Sequence, residues 1–406
     1  MTGDEPPRGP GGLAFDPTFG PFFWARLVSI TGIWIHNITA ALVVFQISGS
    51  VSLVAAVSVA QFLPQLLLSA WSGAWADRGH MGRQIVLGRL VTAAGSVLLA
   101  TWIWAVGGVE NLPGIWVVIV ASTVAGIGFV IGGPAMQSIA PSITRQGEIS
   151  AAMALNSLTM TVARAIGPLL GGVAAHQLGP AGALMIAGSG SVFFALVGVA
   201  IRLPAGPGVG ATDGRIRAAV AHVLRDRRLL SLLAGTAAVG LAAEPTMTLA
   251  PSFAELWGIP AAAGWLASAF GVGAVLVSAL LSRLQRHLSN ATITSIGLSL
   301  MAFGNVGLAL GDEPWIGLSG MGVSGAGMTL ALTGITTQIQ VSSPRVMLGR
   351  IMSLWFMAFL GSRPFAAALL GFTADAFSVP VSLYVTAALT LAAATVCWLA
   401  LREHRN

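Results

Sequence analysis

Four ionisable residues lie inside long apolar runs of this chain, and their side chains are the most able to do chemistry. They are His36, Arg164, Glu244 and Arg363. A charge at the centre of a membrane-spanning helix costs roughly 2.5–3.5 kcal/mol on insertion scales, so ionisable residues kept there mark substrate or proton pathways. We therefore predict that these four residues form a site for substrate and protons.

Glu244 is the candidate for exchanging a proton. Burial favours the neutral form of a carboxyl group, and the adjacent Pro245 leaves a polar backbone carbonyl nearby. His36 or one of the arginines would modulate the exchange. Arg164 and Arg363 would offer positive charge to a substrate with anionic or strongly polar groups. The alternative is a structural ion pair between Glu244 and either arginine that serves only to assemble the helices.

The composition indicates what kind of element holds these residues. Of 406 residues, 55% are hydrophobic and 8% are charged, with a mean hydropathy of +0.83. A soluble domain has about a quarter charged residues, and a bilayer-spanning helix needs about 20 apolar residues. Runs of that size occur at 21–47, 51–75, 83–107, 112–137, 149–177, 180–203, 229–254, 261–284, 291–311, 314–338, 349–375 and 379–401. The sequence predicts an all-α membrane protein with twelve transmembrane helices.

The arginines indicate the orientation. The chain has no lysine, and eighteen of its twenty arginines fall on one side of the predicted spans. The short loops of the other side contain no arginine, and their charged residues are the acids Glu110, Glu255, Asp312, Glu313 and Asp375. By the positive-inside rule, we expect both termini to lie in the cytoplasm. The protein itself is expected in the inner or plasma membrane. Arg26 and Arg89, within two turns of the inner face, are expected to extend to lipid headgroups.

A polar stretch divides the chain into two halves. We expect a disordered cytoplasmic tail over residues 1–20, a six-helix bundle over 21–203 and a second over 229–406. Residues 204–228 between them read as a flexible linker followed by a basic amphipathic helix on the inner membrane surface.

The two halves share a weak repeat. Arg164 precedes Leu169-Leu170-Gly171 at nearly the spacing with which Arg363 precedes Leu369-Leu370-Gly371. Pseudo-symmetric bundles related by an axis along the membrane normal are the architecture of a transporter that works by rocking.

The loop after the second span carries a recognisable pattern. Gly73, Asp77, Arg78 and Arg83 match a loop of the major facilitator superfamily, which this segment resembles, whereas His80 and Met81 depart from it. We expect Gly73 to permit close backbone approach. The resemblance implies a latch in which Asp77 docks on the positive N-terminus of the eleventh span, near Gly349 and Arg350. The alternative is an ordinary positive loop.

The fifth span carries a second pattern, made of Gly167, Pro168, Gly171 and Gly172. It resembles the antiporter signature of exporters in that superfamily, although alanines replace the first two glycines of the signature. Pro168 removes a helical hydrogen bond and permits a kink, and the glycines let a neighbouring helix pack closely. The alternative is generic packing of small residues.

More narrowly, the segments from Phe22 to Arg78, from Asn156 to Gly172 and from Gly349 to Gly371 resemble the branch that contains enterobactin exporters and macrolide-efflux pumps. The resemblance implies a secondary active transporter of the major facilitator fold. It would export a small amphipathic organic molecule, such as a drug, siderophore or other metabolite, by proton antiport with alternating access. The fourth span lacks the arginine of many drug–proton antiporters, so a mechanism using that residue does not transfer.

Two alternatives to an exporter remain, and several other classes of function are disfavoured. The alternatives are an importer or lipid translocase on the same fold, and a non-transporting scaffold or sensor. Without lysine there is no phosphate-binding loop for a nucleotide, and the dispersed arginines do not suit nucleic acid. The single Cys397 forms no disulfide framework or thiolate metal cluster, and Ser324 has no histidine in reach as a base. We expect a monomer in the bilayer, not an enzyme, with no cofactor or metal.

Overall fold

The protein is described by a computed structural model covering residues 8–76, 78, 80–139, 142–145, 147–203, 220–344 and 347–402. These residues form helices and connecting turns without a β-strand. Twelve of the described helices are long and apolar enough to cross a membrane. Inside a bilayer, a helix satisfies all its backbone hydrogen bonds internally, which explains why each predicted apolar run becomes one. The predicted all-α, twelve-helix fold is confirmed.

Each helix that crosses the membrane is called a span and numbered along the chain. Spans 1 to 6 are Phe19–Ser48, Val51–Ala76, Met81–Ala105, Trp116–Ser138, Ile149–Gln177 and Gly179–Ala200. Span 7 consists of Arg227–Ala243, Pro245–Thr248 and Ala250–Leu256. Spans 8 to 10 are Ala262–His287, Asn290–Ala309 and Pro314–Ser342. Span 11 consists of Leu348–Gly361 and Arg363–Ala376, and span 12 is Val379–Arg402. A short helix, Pro10–Ala14, precedes span 1, and a 3₁₀ turn, Val109–Asn111, follows span 3.

By their contacts the residues group into two compact units. The first contains Met1–Thr39 and Leu67–Ala211, and the second contains Ala40–Leu66 and Thr212–Asn406. Residues 40–66, which form the end of span 1 and most of span 2, thus group with the second half of the chain. The division into six-helix bundles over 21–203 and 229–406 stays a proposal beside this grouping.

In the first unit, spans 3 and 4 pack with their backbones in contact. A Cβ added at Gly88 would lie 2.7 Å from the carbonyl oxygen of Gly128, and one at Gly95 would lie 2.5 Å from that of Ala121. Small residues permit such close packing between membrane helices.

In the second unit, spans 9 and 10 repeat this arrangement. A Cβ added at Gly297 would lie 2.7 Å from the carbonyl oxygen of Gly327, and one at Gly304 would lie 2.5 Å from that of Gly320. In both units, two glycines seven residues apart therefore meet the next span at equivalent places. This agrees with the internal repeat that the sequence of spans 5 and 11 indicates.

The predicted disordered tail is wrong for residues 8–20, and residues 1–7 lie outside the described part. Leu13 and Ala14 are buried in an apolar cluster with residues of the spans in the first unit, and the Trp24 Nε1–H donates to the Ala14 carbonyl over 3.1 Å. Arg8 donates to Glu148 Oε1 over 2.7 Å and also contacts the Asp16 carboxylate. The composition, rich in glycine and proline, hides these few anchoring contacts.

Most of the predicted linker, residues 204–219, lies outside the described part. Residues 220–225 are helical. Asp226 then caps span 7, accepting hydrogen bonds from the backbone N–H groups of Arg228 at 2.9 Å and Leu229 at 3.1 Å. A side-chain oxygen at this position satisfies N–H groups that have no partner within the helix. The placement of the predicted amphipathic helix on the membrane surface stays a proposal.

Candidate functional site

Glu244 and Arg363 form a buried ion pair in the second unit. The Arg363 Nε–H donates to Glu244 Oε2 over 2.8 Å, and the carboxylate is 0% exposed. The other carboxylate oxygen, Oε1, accepts the hydroxyl hydrogen of Thr248 over 3.0 Å. A buried charge needs a partner of this kind, because desolvation of an isolated ion costs several kcal/mol.

Both members of the pair stand where a span is interrupted. Glu244 separates the segment ending at Ala243 from the one beginning at Pro245, and Arg363 begins the second segment of span 11. Pro245 has no N–H, and the Leu241 carbonyl instead accepts the N–H of Glu244 at 3.3 Å. In transporters, interrupted spans bring polar backbone to the binding site. A proline follows each member of the pair directly, Pro245 after Glu244 and Pro364 after Arg363, so the sequence carries a sign of both breaks.

The arginine of the pair also contacts an aromatic ring. The guanidinium carbon of Arg363 lies 4.2 Å from the ring centroid of Phe62 in span 2. A cation over an aromatic face is stabilised by about 0.5–2 kcal/mol, depending on its exposure to water. Spans 7 and 11 pack tightly beside the pair, since a Cβ added at Gly240 would lie 2.6 Å from the Phe359 carbonyl oxygen.

His36 lies in the first unit and is 2% exposed. Its Nδ1 lies 3.0 Å from the Ser96 hydroxyl of span 3, and its Nε2 lies 3.4 Å from the Ser122 hydroxyl of span 4. The imidazole thus connects spans 1, 3 and 4 through two neutral partners. This environment suits an uncharged ring.

Arg164 also lies in the first unit, beside span 1. Its guanidinium carbon is 5.2 Å from the ring centroid of Trp34. One helical turn further, the predicted signature packs against the same span, because a Cβ added at Gly167 would lie 2.6 Å from Trp34 Cβ. Gly171 similarly faces Ile35, whose Cα would be 3.0 Å from an added Cβ. The close helix packing predicted for these glycines is present, while Pro168 and Gly172 are buried within a continuous helix.

The residues of the predicted latch are only partly described. Asp77 lies outside the described residues, so its docking on span 11 stays a proposal. Arg78 is an exposed turn residue, and Arg83 lines a groove of about 360 Å³ between spans 3 and 6. No described atom lies within 4 Å of a Cβ added at Gly73, and the close backbone approach expected there stays a prediction.

Arg26 and Arg89 do not extend to the membrane surface, which corrects the prediction made for them. They are 2% and 0% exposed, in the interior of the first unit. The Arg26 Nη1–H donates to Asn156 Oδ1 over 2.7 Å, and the Arg89 Nη1–H donates to the Ser29 hydroxyl over 3.3 Å. Sequence reasoning missed them as candidate binding residues.

Asp375 was also missed, because the sequence indicated only an acid in a short loop. Its carboxylate accepts hydrogen bonds from the backbone N–H groups of Val51 and Ser52, both at 3.0 Å, and from the Ser50 hydroxyl at 2.6 Å. It therefore caps the N-terminus of span 2 from the end of span 11. Elsewhere in the described part, no three His, Cys, Asp or Glu residues are grouped so as to hold a metal ion.

Twelve spans define a multi-pass membrane protein, and comparison with solved structures shows its fold. A peptide transporter POT in complex with sulfate has a TM-score of 0.76 at 15% identity, covering 98% of this chain and 96% of that one. A bacterial homologue of the human lysosomal transporter Spinster scores 0.74 at 16% identity, covering 95% and 97%. At these identities the likeness shows the fold alone, that of a major facilitator transporter.

The chain belongs to the transmembrane secretion effector family of that superfamily, whose family model matches residues 15–405. It is also similar to the staphyloferrin A transporter of Staphylococcus aureus (strain NCTC 8325 / PS 47), with 27% identity over 152 residues. That match spans 37% of this chain and 37% of the relative's length.

Proposed function

We propose that this protein exports a small amphipathic organic molecule in exchange for protons, by alternating access. The observation that carries the proposal is the Glu244–Arg363 ion pair, buried at the interruptions of two spans. Proton uptake by Glu244 would neutralise the carboxylate and leave the Arg363 guanidinium without its partner. Breaking a buried pair in this way is strongly unfavourable, so protonation would favour a rearrangement of spans 7 and 11.

The substrate class follows from the arginines. Arg363 lies against Phe62 and Arg164 lies against Trp34, so each offers positive charge beside an aromatic face. A substrate with anionic groups and an apolar or aromatic body would use both features. Similarity to the staphyloferrin A transporter favours a siderophore over a drug or another metabolite. His36, which lies between the Ser96 and Ser122 hydroxyls, would serve as a polar contact for protons or substrate.

The direction and orientation belong to the same proposal. The one-sided distribution of arginines supports an inner or plasma membrane location with both termini in the cytoplasm. Gly167 and Gly171 pack against span 1 where exporters have their antiporter signature. We infer export by a monomer. Docking of Asp77 on the N-terminus of span 11 would close the cytoplasmic side.

Transport by the purified protein in proteoliposomes tests the coupling. Vesicles with an imposed pH gradient would be given iron-free staphyloferrin A or erythromycin as probes, and movement of each probe and of protons would be recorded together. Glu244→Gln should abolish the response to the pH gradient. Glu255→Gln, at an exposed acid of the same span, is the matched control and should behave as wild type. Gradient-driven transport that persists in Glu244→Gln would refute the proton assignment.

Substrate accumulation in cells tests the direction. If the protein exports, deletion of its gene raises the amount of substrate retained by cells, and an intact gene copy reverses this. Reduced uptake after deletion would indicate an importer instead. Unchanged amounts of every probe, together with a stable protein partner in a pull-down, would favour a scaffold.

A further inference from the structure

Two buried arginines in the first unit have no acidic partner among the residues that the structure describes. Arg26 lies seven residues after the start of span 1, and Arg89 lies eight residues after the start of span 3. At 1.5 Å per residue, both are about 10–12 Å along their spans. The salt bridges of the described residues include neither arginine. Arginine stays protonated at physiological pH, so the unit holds two positive charges away from water.

Neutral polar side chains connect these two arginines. Arg26 donates to Asn156 over 2.7 Å, and Arg89 donates to Ser29 over 3.3 Å. The Ser29 and Ser191 hydroxyls lie 3.2 Å apart. Since Ser29 follows Arg26 by one helical turn on span 1, all five side chains belong to one buried cluster. Spans 1, 3, 5 and 6 each contribute at least one of them.

The cluster has unused hydrogen-bond donors. Arg26 Nε, Arg89 Nε, Arg89 Nη2 and Asn156 Nδ2 are buried and have no hydrogen-bond partner among the described residues. All four atoms are hydrogen-bond donors, whereas each acceptor atom of the cluster already has a hydrogen-bond partner. A buried donor without a partner costs about 1–3 kcal/mol, and an unpaired buried charge costs more. Four donors with a double positive charge therefore favour a negatively charged acceptor.

The aromatic neighbours of Arg89 only partly meet that requirement. Its guanidinium carbon lies 5.9 Å from the ring centroids of both Phe129 and Phe194. Such faces attract a cation, but they do not replace an oxygen or halide as acceptor. On another side stands Gly132 of span 4, where an added Cβ would lie 3.7 Å from Arg89 Nη2, in van der Waals contact. This position has no side chain and so offers no side-chain acceptor to the donor.

We propose that Arg26, Arg89 and Asn156 bind an anion inside the first unit. The ligand is a small monovalent anion, either an inorganic halide such as chloride or the carboxylate group of an organic acid. None of the residues proposed to bind substrate or protons takes part. The site stands whether or not the protein exports by proton antiport.

Thermal unfolding of the full chain in non-ionic detergent tests the site. Sodium chloride would be compared, at equal ionic strength, with the sodium salt of MES, a bulky sulfonate that is neither a halide nor a carboxylate. Chloride should raise the unfolding temperature to a plateau, and the sulfonate should not. Arg89→Gln should lose the chloride effect, whereas Arg283→Gln, at an exposed arginine of span 8, should keep it. Equal unfolding temperatures in the two salts, or a full chloride effect in Arg89→Gln, would overturn the proposal.

A direct binding measurement keeps the proposal testable even if the Arg89→Gln variant fails to fold. Binding of radioactive chloride to the wild-type protein should saturate at one ion per chain, and Arg26→Gln should weaken it at least tenfold. Because arginine does not titrate in this range, the affinity should be the same at about pH 5 and about pH 9. Displacement by acetate indicates that the site accepts a carboxylate, and resistance to acetate indicates a resident halide. Absence of saturable binding by both chloride and acetate would disprove the site.

Discussion

Asp375 accepts a hydrogen bond from the backbone N–H of Val51 over 3.0 Å, although 324 positions separate the two residues. The carboxylate thereby joins the end of span 11 to the beginning of span 2. A helix N-terminus carries a partial positive charge and unpaired N–H groups, which an anion satisfies. The predicted latch of Asp77 would use the opposite ends of the same two spans. The two acids are thus candidates for holding alternate states of a transport cycle.

Asp375→Asn should loosen the contact between spans 2 and 11, because the amide keeps the shape but removes the charge. Charge interactions of this kind contribute about 0.3–1 kcal/mol, which corresponds to a roughly two- to fivefold change in an equilibrium. The measurement is the rate of maleimide labelling at Ser52→Cys in a Cys397→Ser background. Asp312→Asn, at an exposed acid before span 10, is the control. Unchanged labelling in Asp375→Asn would show that the carboxylate does not hold this contact.

Removal of one member of the Glu244–Arg363 pair should destabilise the protein by about 3–5 kcal/mol, because the other stays buried. The double variant Glu244→Gln/Arg363→Gln should recover most of that loss. Denaturant unfolding in mixed micelles measures the free energies of unfolding for both single variants and the double. If the losses simply add, the two side chains do not depend on each other in the folded state.

Acid should weaken the attachment of the N-terminal segment. The pKa of Glu148 is lowered to about 2 from its ordinary 4.5, chiefly because Arg8 donates to its carboxylate; burial opposes this shift, and backbone N–H groups of Arg145 and Arg8 add to it. A lowered pKa in the folded state means that this stabilisation is complete above about pH 4.5 and is lost as the pH falls towards 2.

Proteolysis of the N-terminal segment as a function of pH measures this effect. Protection should fall between about pH 4.5 and about pH 2 in the wild type, and Glu148→Gln should be cut readily at every pH. Glu110→Gln, at an exposed acid in another loop, serves as the control and should keep the wild-type profile. Identical profiles for wild type and Glu148→Gln would contradict the role of this carboxylate.

Gly325→Ala should be much more harmful than Gly133→Ala. A Cβ at Gly325 would overlap the Phe270 carbonyl oxygen, whereas one at Gly133 would meet nothing within 4 Å. Overpacking costs about 1–3 kcal/mol, while alanine at an open helical position is neutral or stabilising by up to about 1 kcal/mol. Unfolding temperatures of both variants check this difference. Equal effects would show that the spacing of spans 8 and 10 does not depend on Gly325.

Hydropathy was sufficient to predict the twelve spans, because a bilayer imposes length and apolar character on every segment that crosses it. The pairing of Glu244 with Arg363 was one of two arrangements left open, since depth along a helix does not determine which neighbour a side chain faces. For the same reason, the prediction that Arg26 and Arg89 extend to the lipid headgroups was wrong. An arginine near the inner end of a span has the same local sequence whether it faces headgroups or the interior.

The glycine contacts between spans 3 and 4, and between spans 9 and 10, also limit how the protein can deform. Where carbonyl groups of one helix leave no room for a single methyl group on the next, sliding or tilting would produce steric overlap at once. We therefore expect each of these helix pairs to move as a rigid body. Bending is then easiest where the hydrogen bonding of a helix is already broken, as it is at Glu244 and at Ser362. The ion pair therefore lies beside two positions that can act as hinges.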